Sequence, residues 1–253
     1  MKIGKFKTNE NNILWGIIDG ERVMELSERR DKPSEKEILH NINELTIMAP
    51  ASPSKILAIG KNYKEHAKEM GSEAPESPIL FLKAPSSLIS PGEEIKIPSI
   101  SSRVDYEAEL AVVVGRHCRN LKHDEAIDVV WGFTCLNDVT ARDLQKKDGQ
   151  WGRAKSFDTF CPLGPWLETE LNWEDTQIEL ILNGETKQKA STNQMIFSVV
   201  DLLVFISSVM TLNPGDVIAT GTPAGVGPIK PGDEVTVKIE GIGELTNPVV
   251  ADK

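Results

Sequence analysis

Cysteine is scarce: three residues in 253, at Cys118, Cys135 and Cys161, with no CxxC pair among them. An odd count without paired spacing rules out a disulfide framework and leaves little for a thiolate metal site. The four histidines form no HxH or HExxH, so a zinc-type nitrogen–sulfur site has little support. Basic excess is absent as well. The net charge is −10, which excludes a nucleic-acid surface, because phosphate binding needs a positive field. A small anionic substrate stays possible where a metal and a few Lys or Arg reverse the local potential. Long apolar runs are missing too. The most apolar stretch, Met195–Met210, is too short for a membrane span and carries Asp201. The N-terminal "MKIGKFKTNENN" lacks the apolar centre of a signal peptide. No repeat or low-complexity segment interrupts the chain. These absences point to a reduced, cytoplasmic enzyme-sized protein with no membrane or nucleic-acid partner.

Composition is otherwise ordinary, 40% hydrophobic and 26% charged, and the length allows one large domain with a small appendage. Residues 1–50 read as a small α+β module: short alternating strands ("KIGKF", "ILWGII", "ERVMEL") and a helix over Ser34–Leu45. "APASPSK" (Ala49–Lys55) reads as a linker, and residues 51–253 as a strand-rich mixed α/β domain. Strands are expected at "KILAIG", "PILFLKA", "VVWGFTCLND" and, unbroken, "VDYEAELAVVVG". Helices are expected at "NYKEHAKEM" with Gly71 behind it, around "HDEAIDV", and at "TARDLQKKDG". In the last, Thr140 and Asp143 have capping-box spacing and Gly149 ends the helix. "SVVDLLVFISSVM" reads as a largely buried helix, and "NG" in "IELILNGETKQKA" signals a type I′ hairpin.

One stretch is chemically odd. In "RVDYEAELAVVVG", Glu107 and Glu109 lead straight into a Val-rich run of the kind buried on both faces. Alternate strand residues share a face, so the two carboxylates would lie together, and like charges buried so close repel. A cation between them would relieve the repulsion. Asp138, at the tip of an apolar strand, would complete an all-oxygen set suited to Mg²⁺ or Mn²⁺. Spacing leaves a second reading open, with Glu107 on a solvated edge and Asp138 helping to cap the next helix. His66 and Glu69, at i and i+3, could form an oriented general base or be incidental surface charges. Arg142, Gln145 and Lys155 follow Asp138 and could hold a substrate carboxylate, or form surface pairs. "ATGTPAGVG" is neither a P-loop nor a dinucleotide fingerprint; its backbone and Thr222 could bind an anion, or it could simply be a turn.

Six segments in order ("GKNYKEHAKEM", "DYEAELAVVVG", "LNDVTARDLQ", "AKSFDTFCPLGP", "NQMIFSVVDLL", "LNPGDVIATGTPAGVG") resemble the fumarylacetoacetate hydrolase family, over about residues 56–250. The resemblance implies a β-rich sandwich or roll, dimeric or larger. It implies metal ligation by Glu107, Glu109 and Asp138, a His66–Glu69 dyad on a lid, catalysis aided by Lys155, and substrate contacts from Arg142, Gln145 and Thr222. Ala154 departs from the glycine many members place before the lysine. The implied activity is Mg²⁺- or Mn²⁺-dependent C–C cleavage of 2-oxo acids, of the acylpyruvate hydrolase or oxaloacetate decarboxylase type. An isomerase or tautomerase of unsaturated 2-hydroxy or 2-oxo dicarboxylates is the alternative, and a non-catalytic 2-oxo acid binder is a third.

Overall fold

A computed structural model describes residues 1–27 and 39–252. Among them, a 12-stranded sheet and a five-stranded sheet dominate, with a small three-stranded sheet at one end. The large sheet is centred on the strand Ala108–Val114, which pairs antiparallel with Val130–Asn137 on one side and Val217–Ala219 on the other. All seven of its residues are buried. Alternation sends Leu110, Val112 and Val114 into one core and Ala111 and Val113 into another. This double burial is what a run of valines without polar interruption favours.

The first core lies between the large sheet and the five-stranded sheet, whose Ile178, Leu180, Val235 and Val237 face Leu110, Phe133 and Cys135. The expected β-rich α/β sandwich is therefore present. The N-terminal strand Lys2–Lys7 pairs with Cys161–Glu168, so the first strands extend the large sheet and add a small core of Phe6, Leu14 and Val23. "APASPSK" is anchored: Ala49 and Ala51 are buried, and buried Asp216 accepts from the backbone N–H groups of Ser54 and Lys55.

His66 and Glu69 lie on α1 (Lys64–Glu69), Arg142 and Gln145 on α2 (Arg142–Asp148) and Lys155 on α3 (Gly152–Lys155), while α4 (Val199–Val209) packs into the first core. Gly71 (φ 69°) follows α1 and Gly149 (φ 69°) ends α2 in the left-handed region, as the sequence suggests. Ser198 and Asp201 form a capping box on α4. Asn183 and Gly184 both have positive φ, in keeping with the type I′ hairpin.

Several local expectations are corrected. Of the helix placed at Ser34–Leu45, residues 34–38 lie outside the described residues. The rest is a strand, Leu39–Asn41, and a 3-10 turn. Leu39–Asn41 pairs with Arg22–Glu25, and Asn41 accepts from the N–H of Asn43, favouring a turn over a longer helix. Around "HDEAIDV" only the 3-10 turn Ile127–Val129 forms, the segment being too short to nucleate a helix. Thr140 and Asp143 do not cap α2. The Thr140 hydroxyl donates to the Asp138 carbonyl, while Asp143 accepts from Ser101 and Ser102. Lys155 ends α3.

The long strand "VDYEAELAVVVG" is two strands. Val104–Tyr106 belongs to the three-stranded sheet and Ala108–Val114 to the large one, with Glu107 at the break. There the Glu107 N–H donates to the Asn137 side chain (3.0 Å) and the Glu107 carbonyl accepts from the Asp138 N–H (2.8 Å). Side-chain bonding replaces the ladder and lets the chain change sheets.

Asn62, fully buried ahead of α1, ties that segment down. Its amide nitrogen donates to the carbonyls of Phe197 and Thr220, and its oxygen accepts from the Phe197 N–H. Asn62→Ala strands three buried backbone groups and is expected to lower the unfolding free energy by roughly 2–4 kcal/mol. Urea unfolding checks this; an unchanged midpoint would show that the segment is held by other contacts.

Candidate metal and acid–base site

The break at Glu107, the tip of Val130–Asn137 and the start of Ala108–Val114 bring three carboxylates together. Ligand oxygens of Glu107, Glu109 and Asp138 lie within 4.8 Å of one another, and all three residues are buried. Each stands on or beside a central strand, so their spacing is set by the hydrogen-bond ladder and not by flexible side chains.

Cations offset part of this charge. The Lys155 ammonium donates to Glu107 (2.7 Å) and to Asp138 (2.6 Å). Lys83, wholly buried at the end of Ile79–Lys83, donates to the other oxygen of Asp138 (2.5 Å). Arg142 directs one N–H each to Glu107 (2.6 Å), Asp105 (2.9 Å) and the Gln145 oxygen (2.9 Å). Burial alone would raise the Glu107 pKa, but the charges of Lys155 and Arg142, helped by His66, hold it below the usual carboxylate range. Lys155 moves the other way. Burial favours its neutral form, yet Asp138 and Glu107 overcome this and raise it.

Glu109 is different. Its single hydrogen bond is from the Gly221 N–H (2.7 Å), and among the described residues it has no ammonium or guanidinium partner. Burial first, then the charges of Asp138 and Glu107, push its carboxyl well above the ordinary range. A buried carboxylate beside two others with no cation of its own is the feature a divalent ion would complete. The all-oxygen set suits a hard cation such as Mg²⁺ or Mn²⁺ and not a thiolate-seeking one. The residues present therefore fit the group.

These residues line a cavity of about 250 Å³ together with His66, Arg142, Gln145, Lys155 and Thr222. Ile59, Met70, Phe81 and Trp151 supply apolar wall. On α1, His66 Nδ1 lies 3.1 Å from Glu69. An ionised carboxylate can only accept, so Nδ1 carries a proton, and in the neutral imidazole Nε2 is the acceptor. Glu69 also accepts from the Gly225 N–H (3.1 Å), joining α1 to the loop that carries Thr222. The Thr222 hydroxyl accepts from Gln188, whose oxygen in turn accepts from the Ala108 N–H. All nine residues singled out in the sequence thus fall in or against one site.

Four supporting residues carry little or no local signal in the sequence. Lys83 was signalled only by a lysine ending the apolar run "PILFLK". Asp105 sat unweighed two residues before Glu107. Asn137 and Gln188 act through backbone groups distant in the chain, which no local pattern announces.

The family model for fumarylacetoacetate hydrolase, C-terminal, matches residues 55–250. The chain belongs to that family. It is 38% identical over 269 residues to the oxaloacetate tautomerase YisK of Bacillus subtilis, covering 98% of this chain and 89% of that protein. Among solved structures it is similar to the 5-carboxymethyl-2-hydroxymuconate delta-isomerase of Mycobacterium smegmatis (41% identity, TM-score 0.92, both chains covered in full). It is also similar to the maleylpyruvate hydrolase of Sphingobium sp. SYK-6, a complex with manganese(II) and pyruvate (29% identity, TM-score 0.82, both chains covered in full). Family members thus include tautomerases, isomerases and hydrolases, and at least one holds a divalent metal. Among the described residues no helix is long and apolar enough to cross a membrane.

Because the Glu109 carboxyl is raised, metal-free protein holds a proton there that a cation must displace. Metal affinity should rise with pH and uptake should release up to about one proton, the release fading once pH passes the raised pKa. Calorimetry of Mn²⁺ binding in buffers of different ionisation enthalpy reads the proton count. Glu109→Gln should abolish the release and weaken binding by more than the ~10–100-fold typical of outer-shell changes. Proton release unchanged in that variant would remove Glu109 from the ligand set.

Proposed function

We propose that the protein is a divalent-metal-dependent enzyme that moves a proton on a small 2-oxo acid, interconverting its keto and enol forms. The observation that carries this reading is that His66, bonded to Glu69, and Lys155 line the same cavity as the three carboxylates. The full-length similarity to a tautomerase and to an isomerase supports the choice of reaction.

Glu107, Glu109 and Asp138 would hold the cation, which when bound would chelate the substrate carboxylate and 2-oxo oxygen and act as a Lewis acid on the latter. The protein's own groups do the rest. His66 Nε2 accepts the proton leaving C3, and Glu69, bonded to Nδ1–H, fixes the ring and stabilises the imidazolium. The Lys155 ammonium places fixed positive charge beside the developing oxyanion. Arg142 and Lys83 fix the orientation of Glu107 and Asp138 where they line the cavity. Thr222, accepting from Gln188, still has its own O–H to give to a substrate oxygen. His66 then delivers that proton to the substrate's 2-oxygen, which completes the enol, and the reverse order regenerates the keto form.

C–C cleavage of acylpyruvates or decarboxylation of oxaloacetate is the second reading. Loss of the C4 group leaves the enolate of pyruvate, whose charge falls on the same 2-oxygen, and in the hydrolytic version the dyad that serves C3 would instead activate water. Hydrolysis needs a water placed between His66 and C4; decarboxylation and tautomerisation do not. A non-catalytic binder would be expected to have lost part of the set, whereas all nine residues are present.

The test follows loss of enol absorbance from oxaloacetate, with coupled detection of pyruvate, in the presence of Mg²⁺, Mn²⁺ or EDTA. Metal-dependent enol loss without pyruvate supports the tautomerase. Pyruvate formed above the metal-only background, from oxaloacetate or from acetylpyruvate, moves cleavage ahead. His66→Ala should lower kcat by about 10²–10⁴-fold with metal binding retained. An active His66→Ala protein would assign the base elsewhere. Metal-loaded protein inert on every such substrate would leave the binder.

A further inference from the structure

The inner charges of the cavity are matched to one another, and two of its outer ones are not. Lys155, Lys83 and Arg142 are each bonded to Glu107, Asp138 or Asp105. Lys61, half-buried, and Lys146, exposed on α2, also line the cavity. Among the described residues neither ammonium has a hydrogen-bond or ion-pair partner. Two unmatched cations facing one small cavity attract an anion there.

The backbone at Lys61 adds a second observation. The strand Ile56–Gly60 runs beneath Trp151 so closely that a Cβ on Gly60 would fall 2.4 Å from the indole. The chain then turns at once, and Asn62 is pinned by its three hydrogen bonds. Lys61 makes the turn with φ at +58°, a left-handed conformation that glycine or asparagine adopts at lower cost. Lysine has no backbone advantage at this position. Its side chain lines the cavity.

Charge balance indicates what it faces. Asp105 is paired with both Arg103 and Arg142, and Glu107, Glu109 and Asp138 stand against Lys83, Lys155 and Arg142, so a divalent cation would leave the inner site net positive for the carboxylate beside a 2-oxo group. Each of those ammonium and guanidinium groups is already bonded to a protein carboxylate, whereas Lys61 and Lys146 offer a second carboxylate on the same molecule cations that no protein carboxylate holds among the described residues.

We propose that Lys61 and Lys146 form the subsite for the distal carboxylate of a 2-oxo dicarboxylic acid and so set a preference for diacids over monoacids. This rests on the reading above, in which the 2-oxo end lies at Glu107, Glu109 and Asp138.

Malate and lactate, which share the 2-hydroxy acid end and differ in the distal carboxylate, separate the two ideas without needing turnover. Calorimetry on Mn²⁺-loaded protein should show malate bound more tightly than lactate, by roughly tenfold or more. Lys61→Asn and Lys146→Gln should each shrink that ratio, the double variant should bring it near one, and lactate affinity should hold. Lys147→Gln, one residue away and outside the cavity lining, should leave the ratio unchanged. Asparagine tolerates the left-handed turn, so the melting temperature of Lys61→Asn should equal or exceed that of the parent. With oxaloacetate as substrate, the double variant should raise KM and largely spare kcat. A malate-to-lactate ratio unchanged in the double variant overturns the subsite while leaving the inner site standing. Failure of the metal-loaded parent to bind either acid overturns both.

Discussion

Everything near the centre of this protein is arranged around the mutual repulsion of three buried carboxylates. Glu107, Glu109 and Asp138 could not remain ionised together in an apolar interior without compensation, since desolvation and like charge act in the same direction. Lys155, Lys83 and Arg142 compensate two of the three, and the third is left without a cation of its own. That asymmetry suits the site to a metal ion and sets it apart from a closed salt-bridge network. A network with every charge matched would be inert to a divalent ion, and one with no internal cations would be too costly to fold.

The fold delivers this arrangement by breaking a strand. An uninterrupted strand from Val104 to Val114 would leave Glu107 in one ladder. The Asn137 side chain takes the Glu107 N–H instead, and the chain passes from the three-stranded sheet to the large one at that residue. Glu107 is thereby turned toward Arg142 and Lys155, while Glu109 stays in register with the central strand. The Gly221 N–H that reaches Glu109 requires a left-handed glycine (φ 103°), where a Cβ would also fall 2.7 Å from Asn62. Backbone, not side-chain reach, sets the geometry.

Much of this is legible in the sequence, for identifiable reasons. The conflict between Glu107–Glu109 and the following valines is local, and so is the acid at the tip of "WGFTCLND". Strand existence is signalled by composition over five to eight residues, which is why the central strands agree with expectation. What escapes is non-local. The break at Glu107 depends on Asn137, thirty residues on; Lys83 matters only because its strand ends against Asp138. Thr140 and Asp143 have the spacing of a helix cap, yet tertiary partners at Asp138 and Ser101 outcompete that use. The N-terminal residues after Leu39 follow sheet pairing over helical propensity for the same reason.

The two halves of the chemistry rest on different mechanical supports. The carboxylates belong to the middle of a large sheet, where strands on either side fix them. His66 belongs to a six-residue helix moored by Asn62 at one end and by the Glu69–Gly225 hydrogen bond at the other. The first support is a foundation and the second a bracket. Such a division lets the position of the proton carrier be tuned through two side chains without disturbing the carboxylates below it.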